Sequence, residues 1–382
     1  MASATLARVE AHVLRTPIKE PVRTSFGTMV ERAAVFVRVE DSEGAHGWGE
    51  VWCNFPNPSA EYRARLCVEI VASRALGKPV DDPAALWAEI DRALHVLRIQ
   101  SGDPGGFSSA AAGLDLALHD LVARRQGVPL WKALGGTNGS PVPVYASGIN
   151  PGANAYETVE RMRGGGYRAF KIKVGFGEET DLASLRPAAQ RLESGERLMV
   201  DANQAWDLAT AKAMAPKLAA FGLGWLEEPL MADRPLGEWK QLAAVAPTTL
   251  AAGENMRGAG QFQEAIDSGL FGILQPDAAK WGGHSGCLPV ARSALAAGRS
   301  YCPHYLGGAI GLMHSLHLLA AVRGPGMLEV DANANPLREG LLQDVFAVRD
   351  GAVSLPAGPG LGLEPDLKPL SNLISLHLER HA

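Results

Sequence analysis

Hydrophobic and polar positions change rhythm twice along this chain. From about Leu6 to Val51 they alternate. Val35-Phe36-Val37-Arg38-Val39-Glu40 is β-branched and aromatic, and Asp41-Ser42-Glu43-Gly44 turns the chain towards Gly47-Trp48-Gly49-Glu50, which predicts strands and turns. From about Ala60 to Leu134 the spacing is helical. Ala110 to Arg125 places Leu114, Leu118, Leu121 and Val122 at helix intervals, and Gly127-Val128-Pro129 ends the run. This opening region, residues 1–135, reads as α+β. After Gly135-Gly136 short apolar runs recur: Val142–Ala146, Ala169–Val174, Leu198–Val200, Gly224–Leu226, Thr249–Ala252, Phe271–Leu274, Ser300–Cys302 and Met327–Val330. Alanine-rich helical stretches such as Ala209–Ala220 and Pro289–Ala297 lie between them. Eight strands alternating with helices over residues 136–330 predict a parallel α/β barrel of the TIM type. The competitor is a doubly wound open sheet, but Gly164-Gly165-Gly166 does not match the dinucleotide fingerprint. The loop-rich remainder, 331–382, is expected to pack back on the first domain.

Composition narrows the class of protein. Apolar residues make up 47% of 382, enough for a large core and too many for disorder. A formal charge of −5 leaves no basic footprint, so nucleic acid is not an expected partner. An anionic substrate would need a local cation. Cys53, Cys67, Cys287 and Cys302 form no CxxC pair, which speaks against a zinc site or disulfide framework. Met1 to Arg15 lacks a signal peptide's apolar stretch, and no apolar run is long enough to span a bilayer. A cytoplasmic enzyme without membrane or nucleic-acid partners, assembled as a homo-oligomer, is the expectation.

Polar residues sit where the barrel runs end: Lys171 and Lys173 on the second, Asp201 and Asn203 on the third, Glu227-Glu228 on the fourth, Glu254 on the fifth, Asp277 on the sixth, His304 on the seventh, and Glu329 on the eighth. Barrel enzymes place their chemistry at this rim. Asp201, Glu227 and Glu254 end three neighbouring strands, and three carboxylates without a counterion would raise one another's pKa. A hard dication resolves that, and all-oxygen ligation suits magnesium or manganese. Glu228 is set aside as a ligand because the pleat aims it opposite to Glu227. Lys171 and Lys173 share a face, where a nearby dication and each other's charge would lower their pKa towards that of a base. Asp277 and His304 end adjacent strands, so a hydrogen bond that fixes the imidazole tautomer is feasible. Glu329 could hydrogen-bond a substrate carboxylate if protonated, or only balance the lysines. Lys280 is a rival base, while His119, His314, His317, His377 and His381 read as structural or surface groups.

Taken together, Gly47-Trp48-Gly49-Glu50, Pro129 to Gly136, Lys171-Ile172-Lys173, Val200 to Gln204, Leu226-Glu227-Glu228-Pro229, Gly253-Glu254-Asn255 and Gln275-Pro276-Asp277 resemble a mandelate racemase-type member of the enolase superfamily over nearly the whole chain. The resemblance implies a modified (β/α)7β barrel and an α+β cap built from both chain ends. It implies magnesium on Asp201, Glu227 and Glu254, Lys173 as one base and the Asp277–His304 pair as the other. Lys171 and Glu329 would stabilise the enediolate carboxylate, and Asn203 would contact a substrate hydroxyl. Muconate-lactonizing relatives use the lysine equivalent to Lys280 and lack the strand-seven histidine, so His304 argues against that branch. Thr24 to Met29 and Trp52 to Pro58 occupy the positions of substrate-selecting loops, where Arg23 and Phe26 could meet a second carboxylate or a sugar face, or be ordinary loop residues. The function this implies is dehydration of a sugar acid, a reading helped by the polar groups of Arg23 to Thr28. Lactone cycloisomerisation and hydroxy-acid racemisation are the alternatives, and an inactive metal-binding paralogue is the alternative of another class.

Overall fold

The computed structural model describes residues 4–342 and 345–382. The alternation near the N-terminus builds β1 (Leu6–Thr24), β2 (Gly27–Asp41) and β3 (His46–Val51), antiparallel in that order. Val9, Ala11 and Val13 on β1 and Val35, Val37 and Val39 on β2 share one face and bury it against the helices Pro83–Ser101 and Pro104–Arg125. Leu14, Ala34, Phe36 and Trp48 on the opposite face join the barrel's core. β3 lies backbone to backbone on the helix Pro104–Arg125. A Cβ at Gly47 would sit 2.3 Å from the Ala117 carbonyl oxygen and one at Gly49 2.2 Å from that of Gly113, so only glycine allows this approach. That helix begins six residues before the apolar pattern does, because Pro104 follows a capping Asp103 whose Oδ1 accepts from the Gly106 N–H at 2.8 Å.

All eight barrel runs form strands: β4 (Val142–Ile149), β5 (Ala169–Lys173), β6 (Arg197–Asp201), β7 (Leu226–Glu227), β8 (Leu250–Ala252), β9 (Phe271–Leu274), β10 (Ser300–Tyr301) and β11 (Leu328–Asp331). Parallel pairing runs from β10 back to β4, and β11 joins β4 from the other side. Between β10 and β11 no strand ladder forms. That seam is bridged by the Met327 N–H to Cys302 Sγ at 3.4 Å and the Tyr305 N–H to Glu329 Oε2 at 2.8 Å. Each of the seven intervals between these strands carries a helix, which gives the (β/α)7β order.

Strand periodicity sets the site. Tyr145, Ala169, Met199, Trp225, Ala251, Cys302 and Met327 pack together as an apolar plug inside the strands. Two residues further along the same faces stand Ser147, Lys171, Asp201, Glu227, His304 and Glu329. A polar layer therefore caps the plug at the strands' C-terminal ends. The tail divides. β12 (Val348–Arg349) and β13 (Ala352–Val353) form a hairpin whose second strand pairs with the start of β4, while β14 (Ile374–His381) runs antiparallel to β1 and completes the sheet β14-β1-β2-β3. No helix among the described residues is long and apolar enough to cross a membrane.

Candidate active site

The pairing register puts Lys173, Asp201 and Glu227 level with one another on β5, β6 and β7. Lys173 Nζ donates to Asp201 Oδ2 at 2.8 Å and also to Asn203 Oδ1. One step deeper, Lys171 Nζ lies between Glu227 Oε1 at 2.6 Å and Glu329 Oε1 at 2.8 Å. Glu329 also accepts from Ser147 Oγ at 2.5 Å and from the Tyr305 N–H at 2.8 Å. Across the mouth, His304 Nδ1 and Asp277 Oδ2 are 2.7 Å apart, and His304 Nε2 is paired with Glu254. The predicted Asp277–His304 pair is present. Lys171, Lys173, Asn203, Asp201, Glu227, Glu254, Asp277, His304 and Glu329 are all buried together.

Burial and charge compete at each of these groups. For Lys171 and Lys173 burial works to lower the pKa, but Glu227 and Glu329 around the first and Asp201 beside the second outweigh it, so both stay above the usual lysine range. Depressed lysines were expected beside a dication, and the protein's own groups do not produce them. Mutual repulsion between the two ammonium groups is real but smaller than the pull of the surrounding carboxylates. Burial likewise works against His304, and Glu254, Glu329 and Asp277 overcome it to hold the imidazolium well above the ordinary histidine value. Burial works to raise the pKa of Glu329, yet Lys171 and His304 keep it below the ordinary value, which favours the charge-balancing reading over the protonated donor. Glu227 is pushed up to about 7, chiefly by burial, with Asp201 and Glu329 adding repulsion against the pull of Lys171.

The mouth opens into a cavity of about 200 Å³ under the cap, walled by Lys173, Asn203, Gln204, Glu254, Asn255, Lys280 and His304 below and by Val22, Thr24, Phe26, Met29, Trp52, Asn54, Phe55 and Leu306. Phe26 is thus at the site, 58% exposed and edge-on to Phe55. Arg23 is not. Val22 and Thr24 face this cavity, so the pleat turns Arg23 into a separate cavity lined by Lys19, Asn150, Arg161 and Asn333. The loop's hydroxyls are also committed elsewhere, Thr24 Oγ1 to the Gly27 carbonyl at 3.0 Å and Ser25 Oγ to that of Asn203 at 2.6 Å.

Glu228 and Glu50 matter more than sequence reasoning allowed, and the rival base Lys280 lines the cavity as well. Glu228 does not point away from the site. The strand ends at Glu227, Glu228 takes a φ of 37°, and pleat alternation no longer applies. Its carboxylate meets Asn255 Nδ2 at 2.8 Å, and Asn255 Nδ2 also reaches Glu254 Oε1 at 2.7 Å. Burial and repulsion from Glu254 push Glu228 well above the usual carboxylate range. Asn203 and Gln204, at φ 43° and 64°, share this left-handed backbone, and strain of this kind gathers at functional sites. Lys280 lies over the Trp52 ring, 4.6 Å from its centroid, and donates to Asn255 Oδ1 at 2.9 Å. Glu50, quoted above only as part of a motif, accepts from the Gly308 and Gly311 N–H groups at 2.6 and 2.8 Å and so anchors the start of the helix Ala309–Val322 just after His304.

The donor set suits a hard dication. Six buried carboxylates, Asp201, Glu227, Glu228, Glu254, Asp277 and Glu329, face three ammonium groups and one imidazole, an excess of negative charge that a divalent ion would offset. Asp201, Glu227 and Glu254 offer oxygen ligands from adjacent strand ends. In this arrangement their oxygens turn to Lys173, Lys171 and His304 and not to one common point.

The fold and this mouth define a class: a capped (β/α)7β barrel with opposed acid–base groups beside a carboxylate cluster. Residues 8–135 match the mandelate racemase / muconate lactonizing enzyme N-terminal domain, and residues 154–369 match the enolase C-terminal domain-like family. The chain belongs to the mandelate racemase/muconate lactonizing enzyme family of the enolase superfamily, and it is an enzyme of the lyase or isomerase kind found there. It is 30% identical to a D-galactarolactone cycloisomerase of Agrobacterium fabrum over 375 residues, 94% of this chain and 96% of that one. A mandelate racemase/muconate lactonizing enzyme from Bordetella bronchiseptica superposes with a TM-score of 0.90 at 50% identity, over 97% of this chain and 100% of that one. A Streptomyces coelicolor racemase with bound magnesium gives 0.86 at 30% identity, over 97% and 99%.

Proposed function

We propose that this enzyme removes the proton alpha to the carboxylate of a sugar acid, with magnesium held by Asp201, Glu227 and Glu254, and then expels an oxygen leaving group from the beta carbon. The observation that carries this reading is that Lys173 and His304 reach one cavity from opposite parts of the ring. Magnesium bound at those oxygens would supply positive charge to the substrate carboxylate. Lys171, fixed by Glu329, adds a second positive charge where the enediolate develops. His304, its Nδ1–H donating to Asp277, presents Nε2 to one face of the substrate, and Lys173 Nζ presents to the other. A base must first be released by its carboxylate partner. Asp201 and Glu254, the partners of Lys173 and His304, are also two of the three ion ligands, so ligation and base release fall on the same residues. Asn203, which lines the cavity, would meet a substrate hydroxyl.

The roof of Val22, Met29, Trp52, Phe55 and Leu306 favours a compact ring over a fully hydroxylated open chain. We therefore infer a lactone or other cyclised sugar acid as substrate, in keeping with similarity to a galactarolactone cycloisomerase. Dehydration of an open-chain sugar acid is the second reading, favoured by Asn203, Gln204 and Asn255 at the rim. Incubation with a panel of aldonates, aldarates and their lactones, followed by mass spectrometry, separates the two. A lactone converted to a keto acid of unchanged mass supports ring opening, and an open-chain acid that loses one water supports dehydration. Inversion of an aryl hydroxy acid with no sugar acid consumed overturns both. Magnesium binding without turnover of any panel member would mark an inactive metal-binding relative.

A further inference from the structure

A second set of metal donors stands away from the barrel mouth, on the cap sheet. β1 and β14 pair in register with His12 opposite His377, and Glu10 lies two residues before His12 on the same face. The imidazoles stack with centroids 4.5 Å apart and planes 13° from parallel. Glu10 Oε2 is 3.6 Å from His12 Nε2 and 3.4 Å from His377 Nε2, and because the rings lie nearly parallel, one of them must turn about its Cβ–Cγ bond to bring both in-plane Nε2 lone pairs onto one ion. Among the described residues these are the only three His, Cys, Asp or Glu donors whose ligand atoms all lie within 4.8 Å of one another. Ligand bonds of about 2.0–2.2 Å in a tetrahedral site place neighbouring ligand atoms about 3.4 Å apart, close to both distances.

The surroundings favour an ion as well. Glu10 Oε1 is held by Arg8 and by Arg38 Nη1 at 3.0 Å, which orients the carboxylate and leaves Oε2 turned to the two rings. Burial works to raise the Glu10 pKa, but His12, Arg38 and Arg8 keep it far below the usual range, so the ligand oxygen is already ionised. The His377 side chain is 44% exposed, which leaves an outer position for water. We propose that Glu10, His12 and His377 form a transition-metal site that fastens the C-terminal strand to the cap. Two imidazoles and one carboxylate select zinc, cobalt or nickel over magnesium, so the site is chemically separate from the all-oxygen cluster in the barrel.

The test uses the full-length, untagged protein in saturating magnesium, which occupies the barrel acids, with zinc titrated calorimetrically and cobalt followed by its visible absorption. The proposal expects one zinc per chain with a dissociation constant of about 10 μM or tighter, a cobalt band typical of a four- or five-coordinate site, and a higher melting temperature in zinc. His377→Ala and His12→Ala should each weaken binding by about tenfold or more and abolish the thermal shift. His381→Ala should bind as the wild type does. Because His377 is exposed and does not line the cavity at the barrel mouth, His377→Ala should fold and keep its magnesium-dependent activity. Equal zinc affinity in the wild type, His377→Ala and His12→Ala would overturn the proposal, as would no zinc binding below about 100 μM.

Discussion

Asp201 and Glu254 each hold a cation that the proposed proton transfer needs released, so acids and bases here cannot be assigned one at a time. Removing the charge of a proposed ligand should therefore act on metal binding. Glu227→Gln and Glu254→Gln are each expected to weaken magnesium binding by about tenfold or more in calorimetry, against a smaller effect for Glu228→Gln. Manganese should restore activity lost to chelation, and full turnover in chelator would contradict the ligand set. Asp277→Asn should leave the fold intact and lower kcat by about 10²- to 10⁴-fold with KM little changed, because an amide can no longer hold the imidazole in the productive tautomer. Lys171, Lys173, Asp201 and Glu227 were legible in the sequence because strand alternation carries them inward above an apolar plug. The sequence leaves Arg23 open between two readings because one residue along a strand reverses its direction, and Glu228 was misjudged because its left-handed backbone ends the alternation. Neither turn is written in hydrophobicity.

At the level of elements, the close approach of β3 to the helix Pro104–Arg125 is the most exacting contact between strand and helix. Gly49→Ala would place a methyl 2.2 Å from the Gly113 carbonyl oxygen, a clash with backbone that no rotamer relieves. The expected cost is about 3 kcal/mol of unfolding free energy in denaturant titration, whereas Gly44→Ala, in open space, should lose less despite its left-handed φ. The eight barrel strands were readable because each is a short apolar run bounded by loops and buried on both sides. Even β7 and β10, only two residues long, sit where their runs predicted. Helix starts were less readable. The helix Gly283–Ala296 begins ahead of the alanine-rich stretch, with a first turn of glycines packed against Asp115, where a Cβ at Gly283 would clash, and against Trp281, where one at Gly286 would be tight.

For the whole molecule, the cap and barrel meet over buried histidines that must stay neutral. His317 Nδ1 accepts from the Trp131 N–H at 3.0 Å, and His314 Nε2 bonds the Trp48 carbonyl at 2.8 Å. Burial lowers His317 from 6.5 to about 4 and His314 to about 3. A depressed folded-state pKa gives stability that is complete above 6.5 and is lost as pH falls towards the folded value. His317→Gln should therefore flatten the stability curve between pH 6.5 and 4, removing about 3 kcal/mol of the acid-induced loss. An unchanged slope would show that this joint does not set acid stability. The sequence marked these histidines as structural but gave no sign that they line the seam between the two domains. That seam holds the cap over the barrel mouth, where proton transfer is proposed to occur. In deuterated water, with a sugar acid or lactone that the wild type consumes, NMR can follow the proton at the alpha carbon. Lys173→Met and His304→Asn should differ, one retaining exchange for a given epimer and the other losing it, with the pattern reversed for the opposite epimer and no exchange in the double variant. Exchange that survives in the double variant but disappears in Lys280→Met alone would contradict the assignment of both bases.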